Sequence, residues 1–208
     1  QLVQVPLIVE VASGMNDMLD RDGSRMPVEF DCGLGLDEPV RASIVQAATK
    51  WKRPALRQFG CQPGEGICTD MRAVRKDYFL DHDHSAYVDQ WDWEKVICES
   101  TERTLDKLKE TVTSLYQAIK ATERFVASEF DLTPFLPEQI TFIHSEQLRQ
   151  MYPDFTAKQR EKAVAQEYGA VFLIGIGGTL ADGKIHDVRA PDYDDWSTQT
   201  CSKFAGLN

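Results

Sequence analysis

An amide at Gln90 and a carboxylate at Asp92 stand two residues apart in the stretch HSAYVDQWDWEKVI, residues 84–97. If residues 85–93 form a strand, period two places Gln90 and Asp92 on one face and Asp89, Trp91 and Trp93 on the other. Inward-facing polar groups of this kind require polar partners. A charged, hydrogen-bonding substrate would supply them; an exposed strand face is the alternative. The Trp-Asp pair does not mark a propeller blade, because it occurs once and a propeller repeats it every ~40–45 residues. A second concentration of charge is RAPDYDDW, residues 189–196, which joins Arg189 to three aspartates and Tyr193. Charges so crowded either remain in water or hold a charged ligand. KWKR, residues 50–53, reads alone as the polar face of a helix. DHDH, residues 81–84, lacks further ligands at metal-binding spacing and reads as a solvated loop. GIGG, residues 175–178, fits neither GxGxxG nor GxxxxGK[ST], so a structural turn is expected there.

These groups need elements to hold them. QLVQVPLIVEVASG reads as a strand interrupted at Pro6, and MPVEFDC as a second short strand. From Pro39 the pattern is helical: Val40, Ile44, Val45, Ala48 and Trp51 recur at spacings of three and four, with Pro54 ending or kinking the helix. GEGICTDMRAVR and HSAYVDQWDW are expected to pair as strands across an unusually long loop, KDYFLDHD. Residues 94–130 carry a long amphipathic helix, with Leu105, Leu108, Val112, Leu115, Ile119 and Val126 on its apolar face. QITFIH is a strand, and Thr156 with Gln159 makes a capping box for a helix ending near Gly169. AVFLIGIG and KIHDVRA flank GTLADG, whose Asp-Gly is a hairpin signal. Hairpins with helices between them predict an antiparallel α+β domain.

Composition narrows the partners. The chain has 208 residues and is 42% hydrophobic, enough for a sizeable core in one domain. A net charge of −10 argues against broad binding to nucleic acid, though not against a local basic pocket for phosphates. Five cysteines without a CxxC pair predict free thiols in a reducing, cytoplasmic setting. No apolar run approaches the ~18 residues of a membrane span, and no signal peptide is visible.

Taken together, ATKWKRPAL, GEGICTDMRAVR, HSAYVDQWDWEKV, AVFLIGIGG and HDVRAPDYDDWST resemble, in order and spacing, the ammonia-dependent asparagine synthetase A family. That family is built on the antiparallel sheet of class II aminoacyl-tRNA synthetases. The resemblance implies a homodimer that converts aspartate, ammonia and ATP to asparagine, AMP and diphosphate, with Mg2+ assisting. It implies that the GEGICTDMRAVR–HSAYVDQWDW hairpin is motif 2, with Arg75 on the ATP α-phosphate. Lys52 joins Arg75 in holding two anions together while the aspartate carboxylate becomes an acyl adenylate. Gln90 and Asp92 belong to the substrate pocket, Asp92 among the catalytic groups. Arg189 is a further candidate for that anion-holding step; Asp17, Asp92 and Asp194 match the carboxylates for the substrate α-ammonium, with Tyr193 packing nearby.

The chain departs from the family where relatives commonly show His-Ser before the KWKR segment; here Gln46 and Ala47 stand, and Pro54 follows KWKR. Against the family pattern the chain also starts after the first helix and stops before motif 3, so a longer gene product is expected. A tRNA-binding or catalytically inactive relative would share the fold. The former should carry an anticodon-binding domain and a basic face, and the sequence shows neither; glutamine-dependent synthesis would use an N-terminal cysteine where this chain has Gln1.

Overall fold

A computed structural model describes residues 2–19, 23–33, 35, 37–78, 80–82, 84–98, 102 and 104–188. They fall into two compact units, one within residues 1–99 and the other within 100–188.

In the first unit, Pro6 separates Leu2–Gln4 (β1) from Ile8–Glu10 (β2), and the interruption proves to be a change of sheet. Strands Glu29–Cys32 (β3) and Val40–Ile44 (β4) precede helix Thr49–Gln58 (α1). The hairpin strands follow as Gly66–Val74 (β5) and Tyr87–Lys95 (β6). One sheet has the order β1-β5-β6, the other β2-β4-β3. All pairings are antiparallel except β1 with β5. Val45 ties the two sheets together: its N–H donates to the Leu7 carbonyl (3.0 Å) and its carbonyl accepts from the Val74 N–H (3.1 Å). Val5, Val45, Ala48, Met71 and Ala73 form the core there, covered by Val9, Trp51 and Val88.

Two sequence expectations change here. Residues 40–44 are a strand, not the first turns of a helix. The spacing of Val40, Ile44 and Val45 suits a helix, but β4 bonds to β2 on one edge and β3 on the other, so non-local pairing overrides a local pattern. The helix starts only at Thr49, and it runs through Pro54 to Gln58. Proline removes the bond that residue 54 would have donated to Lys50; the Phe59 N–H still reaches the Ala55 carbonyl at 2.9 Å.

In the second unit, helix Leu105–Phe130 (α2) is capped by Thr104, whose Oγ1 accepts from the Lys107 N–H (3.1 Å). Its expected first turns, Glu94 and Lys95, belong to β6. Its buried residues are Val112, Tyr116, Lys120 and Ala127, whereas Leu105, Ile119 and Val126 are exposed. The packed face is set by the segment after the helix. Tyr116 Oη donates to the Pro137 carbonyl (2.6 Å), Lys120 reaches Glu138 (2.6 Å), and Glu123 accepts from the N–H groups of Phe135 and Leu136. Thr141–His144 (β7) and Val171–Ile174 (β8) pair in parallel, joined through Ser145–Met151 (α3) and Ala157–Tyr168 (α4). The Thr156–Gln159 capping box and the Gly169 terminus occur as the sequence predicts. Ile143, Leu148 and Val164 form the core of this unit.

GIGG is a turn. Gly175 has φ +75°, and a Cβ on it would stand 2.6 Å from His144 Nε2. Ser145 Oγ donates to the Gly175 carbonyl (2.7 Å), and the Gly178 N–H closes onto the same carbonyl (3.2 Å). Gly175→Ala therefore costs on the order of 1–3 kcal/mol, from the left-handed backbone and the displaced ring; urea unfolding should show the lowered midpoint. Beyond it, GTLADG makes a minimal hairpin, bridged at Thr179 and Ile185 with a turn closed by the Gly183 N–H on the Leu180 carbonyl.

Glu146 anchors that hairpin. Its carboxylate accepts from Arg149, from the Ala181 N–H and from Gln150, and these bonds lower its pKa to about 2, Arg149 contributing most. A carboxyl depressed from 4.5 contributes stability that is complete above pH 4.5 and lost as pH falls through about 2. Acid titration of stability should show this loss between those values, and Glu146→Gln should flatten it.

Candidate functional site

The alternation on β6 fixes which side chains turn inward. Val88, Gln90, Asp92 and Glu94 are half-buried, while Tyr87, Asp89, Trp91 and Trp93 are exposed. Register places Gln90 opposite Met71 and Asp92 opposite Thr69, whose Oγ1 donates to the Asp92 carbonyl (3.1 Å). Against this inner face α1 presents Lys52, whose side chain is 4% exposed. Its Nζ donates to Asp92 Oδ2 at 2.5 Å and lies 3.2 Å from Glu94 Oε2. Arg53 Nε approaches the other Glu94 oxygen at 3.8 Å. Two cations thus face two carboxylates, which is what allows an ammonium to be buried here at all. Glu94 was not singled out from the sequence, though period two from Asp92 puts it on the same face.

Asp17 is 1% exposed. Its Oδ2 accepts from the Thr49 N–H (2.7 Å) and its Oδ1 from the Lys50 N–H (2.9 Å). These are the first amides of α1, unsatisfied within any helix. The residue at the cap position, Ala48, has no side chain to serve them, so Asp17 supplies the cap from a distant part of the chain. Negative charge at a helix N-terminus is also favoured by the helix dipole. Asn16 braces the same junction: its Nδ2 donates to the Ile44 carbonyl (2.9 Å) and its Oδ1 accepts from the Gln46 N–H (2.8 Å). Neither bond has a signature in local spacing.

Arg75 follows the last residue of β5. Its N–H donates to the Ala86 carbonyl (2.8 Å), which extends the ladder, and its Nε donates to the Gln46 carbonyl (3.2 Å). The guanidinium lies 5.3 Å from the Tyr78 ring centre. These contacts orient a planar fork suited to phosphate or carboxylate oxygens. Arg189, Tyr193 and Asp194 lie outside the described residues. In the loop, His84 Nδ1 and Asp81 Oδ1 meet at 2.7 Å, and among the described residues no three His, Cys, Asp or Glu side chains gather as a metal site. Cys32, Cys61 and Cys68 are free thiols. No helix among the described residues is long and apolar enough to cross a membrane.

The structure therefore brings Lys52, Asp92 and Gln90 to one sheet face, with Asp17 at the base of the helix that carries Lys52.

Comparison with known proteins identifies the family. The family model described as aspartate-ammonia ligase matches residues 1–208. Two aspartate–ammonia ligases of Clostridium perfringens strains are 51% and 50% identical over 196 residues, or 94% of this chain and 57% of theirs. The chain thus spans little more than half the length of these curated relatives. Among solved structures, the asparaginyl-tRNA synthetase of Entamoeba histolytica, in complex with asparaginyl-adenylate, superposes with a TM-score of 0.52 over 90% of this chain and 42% of its own, at 12% identity. That likeness is one of fold, and it makes this a class II synthetase-like α+β architecture.

Proposed function

The chain belongs to the aspartate–ammonia ligase family, and from that premise we propose that the protein makes asparagine from aspartate and ammonia at the expense of ATP. Both units are read as parts of one class II synthetase-like catalytic domain. The observation that carries the proposal is the buried Lys52 ammonium, paired with Asp92 on the inner face of the β5–β6 hairpin.

A carboxylate does not react with ammonia, so the reaction needs two displacements. In the first, an oxygen of the aspartate side-chain carboxylate bonds to the α-phosphorus of ATP and the bond to the diphosphate leaving group breaks. Arg75 and Lys52 hold the two anions against each other and oppose the charge that develops at phosphorus. In the second, ammonia attacks the acyl carbon, the bond from that carbon to the AMP phosphate oxygen breaks, AMP leaves with the electron pair, and the new nitrogen loses one proton to solvent. Gln90 orients the substrate from the same strand face. By the family resemblance Asp17, Asp92 and Asp194 serve the α-ammonium, Tyr193 is a further substrate-binding residue, and Arg189 is a candidate to join Lys52 and Arg75. For Asp17 this is a second duty, since both its oxygens already accept helix amides. Mg2+, when bound with the nucleotide, would supply charge neutralisation to its phosphates. A homodimer in the cytoplasm, independent of nucleic acid and membrane, completes the reading.

The test follows AMP release from the intact protein given aspartate, Mg2+ and ATP, with ammonium, glutamine or tRNA supplied singly. Ammonium alone should support turnover and yield asparagine. Turnover with tRNA alone, together with its aminoacylation, would replace this reading by that of a tRNA synthetase.

A further inference from the structure

Lys52 meets two carboxylates, and the two are held differently. Its Nζ donates to Asp92 Oδ2 (2.5 Å) and lies 3.2 Å from Glu94 Oε2. Asp92 Oδ1 accepts from the Trp93 N–H (2.8 Å), so that carboxylate keeps its place on β6 whether or not the lysine stays on it. Glu94 Oε1 lies 3.8 Å from Arg53 Nε, on the residue after Lys52. Both oxygens of Glu94 thus address α1. The Asp92 side chain is 30% exposed and that of Glu94 20%. Asp92 is the carboxylate that an entering ligand reaches more readily.

Asp92 serves the α-ammonium of aspartate in the proposed reaction, yet its Oδ2 already holds an ammonium. With Asp92 alone, a bound substrate would put two cations on one carboxylate, and one of those cations is buried. A buried charge deprived of its partner is strongly destabilising. Glu94 removes that conflict, because its Oε2 is already within ion-pair reach of Lys52. We infer that Glu94 is the positioning residue for Lys52: it keeps a counter-charge on the lysine while Asp92 exchanges that lysine for the substrate α-ammonium. The inference rests on the proposed function for its substrate. Two carboxylates then face two ammonium groups. The lysine stays on the same sheet face, and its three donors allow it to hold Glu94 and an anionic oxygen of the substrate together.

Two ligands separate this exchange from a merely structural role. Succinate has both carboxylates of aspartate and no amino group, so it leaves Lys52 on Asp92. In calorimetric titrations of the intact protein, Glu94→Gln should weaken aspartate about tenfold or more, the loss expected for one charge-assisted contact, and succinate less than about twofold. Glu94→Asp keeps the charge on a shorter stem and should recover part of the aspartate loss. Should Glu94→Gln not fold, Glu94→Asp carries the same comparison, with aspartate again the more weakened ligand. Equal weakening of both ligands, or of neither, would overturn the assignment. So would a wild type that binds aspartate and is indifferent to succinate, because two carboxylates alone should still find Lys52. A wild type that binds neither ligand would sink the functional reading and the inference with it; a wild type that binds both, with no difference between them in the Glu94 variants, sinks the inference alone.

Discussion

Arg75→Lys lowers the rate of adenylate formation by about 10²–10³, the usual loss for one contact made to charge in a transition state. The charge is retained, so the effect must come from geometry. Arginine offers a planar fork, and here that fork is aimed by the Gln46 carbonyl and the Tyr78 ring. Lysine brings a point charge on a flexible stem and cannot reproduce two parallel bonds. Aspartate binding should be weakened far less than the rate. Aspartate-dependent exchange of pyrophosphate into ATP measures the step directly, and a wild-type exchange rate would remove Arg75 from the site.

Asp17→Ala is expected to lower stability by about 2–4 kcal/mol, because one buried and one half-buried amide at the start of α1 lose their acceptors at once. Activity should fall with it, since Lys52 sits on the first turn of that helix. Asp17→Asn separates the two duties proposed for this carboxylate. Asparagine keeps one acceptor oxygen for these amides while its NH2 cannot accept from the other, so only part of the stability should return. The negative charge does not return, and if Asp17 pairs with the substrate α-ammonium, aspartate binding should weaken by ~2–5 kcal/mol while ATP binding stays near normal. Equal losses for both ligands would reduce Asp17 to a helix cap. Denaturant unfolding and separate titrations with aspartate and ATP provide the three readings.

What the sequence made visible follows from the range of each interaction. Gln90 and Asp92 were legible because a strand alternates with period two, and the observed burial pattern keeps that period from Tyr87 to Lys95. The capping box at Thr156 was legible because its partner is three residues away. The β4 strand was misread because its hydrogen-bonding partners, β2 and β3, are not encoded in the spacing of its own apolar residues. The α2 face was misjudged because it is chosen by Pro137 and Glu138, beyond the helix. Helix α3 is only seven residues long and gave no periodic signal. The same limit hid the cap by Asp17 and the Gln46 tether.

The remote cap also has a temporal side. A ten-residue helix with an interior proline and an alanine at its start is too short and too poorly terminated to persist alone. It can last only once residue 17 has closed onto residue 49, across 32 positions. During synthesis from the N-terminus Asp17 emerges before the helix it caps, so that closure is available as soon as α1 leaves the ribosome. The counter-ion of Lys52 arrives 40 residues later. Until Asp92 and its strand have been made and paired, burying the lysine would leave a bare charge in the interior, at a prohibitive cost. The nascent chain can thus raise its helix early, but it must leave that ammonium in water and set it into the site only when β6 is in place.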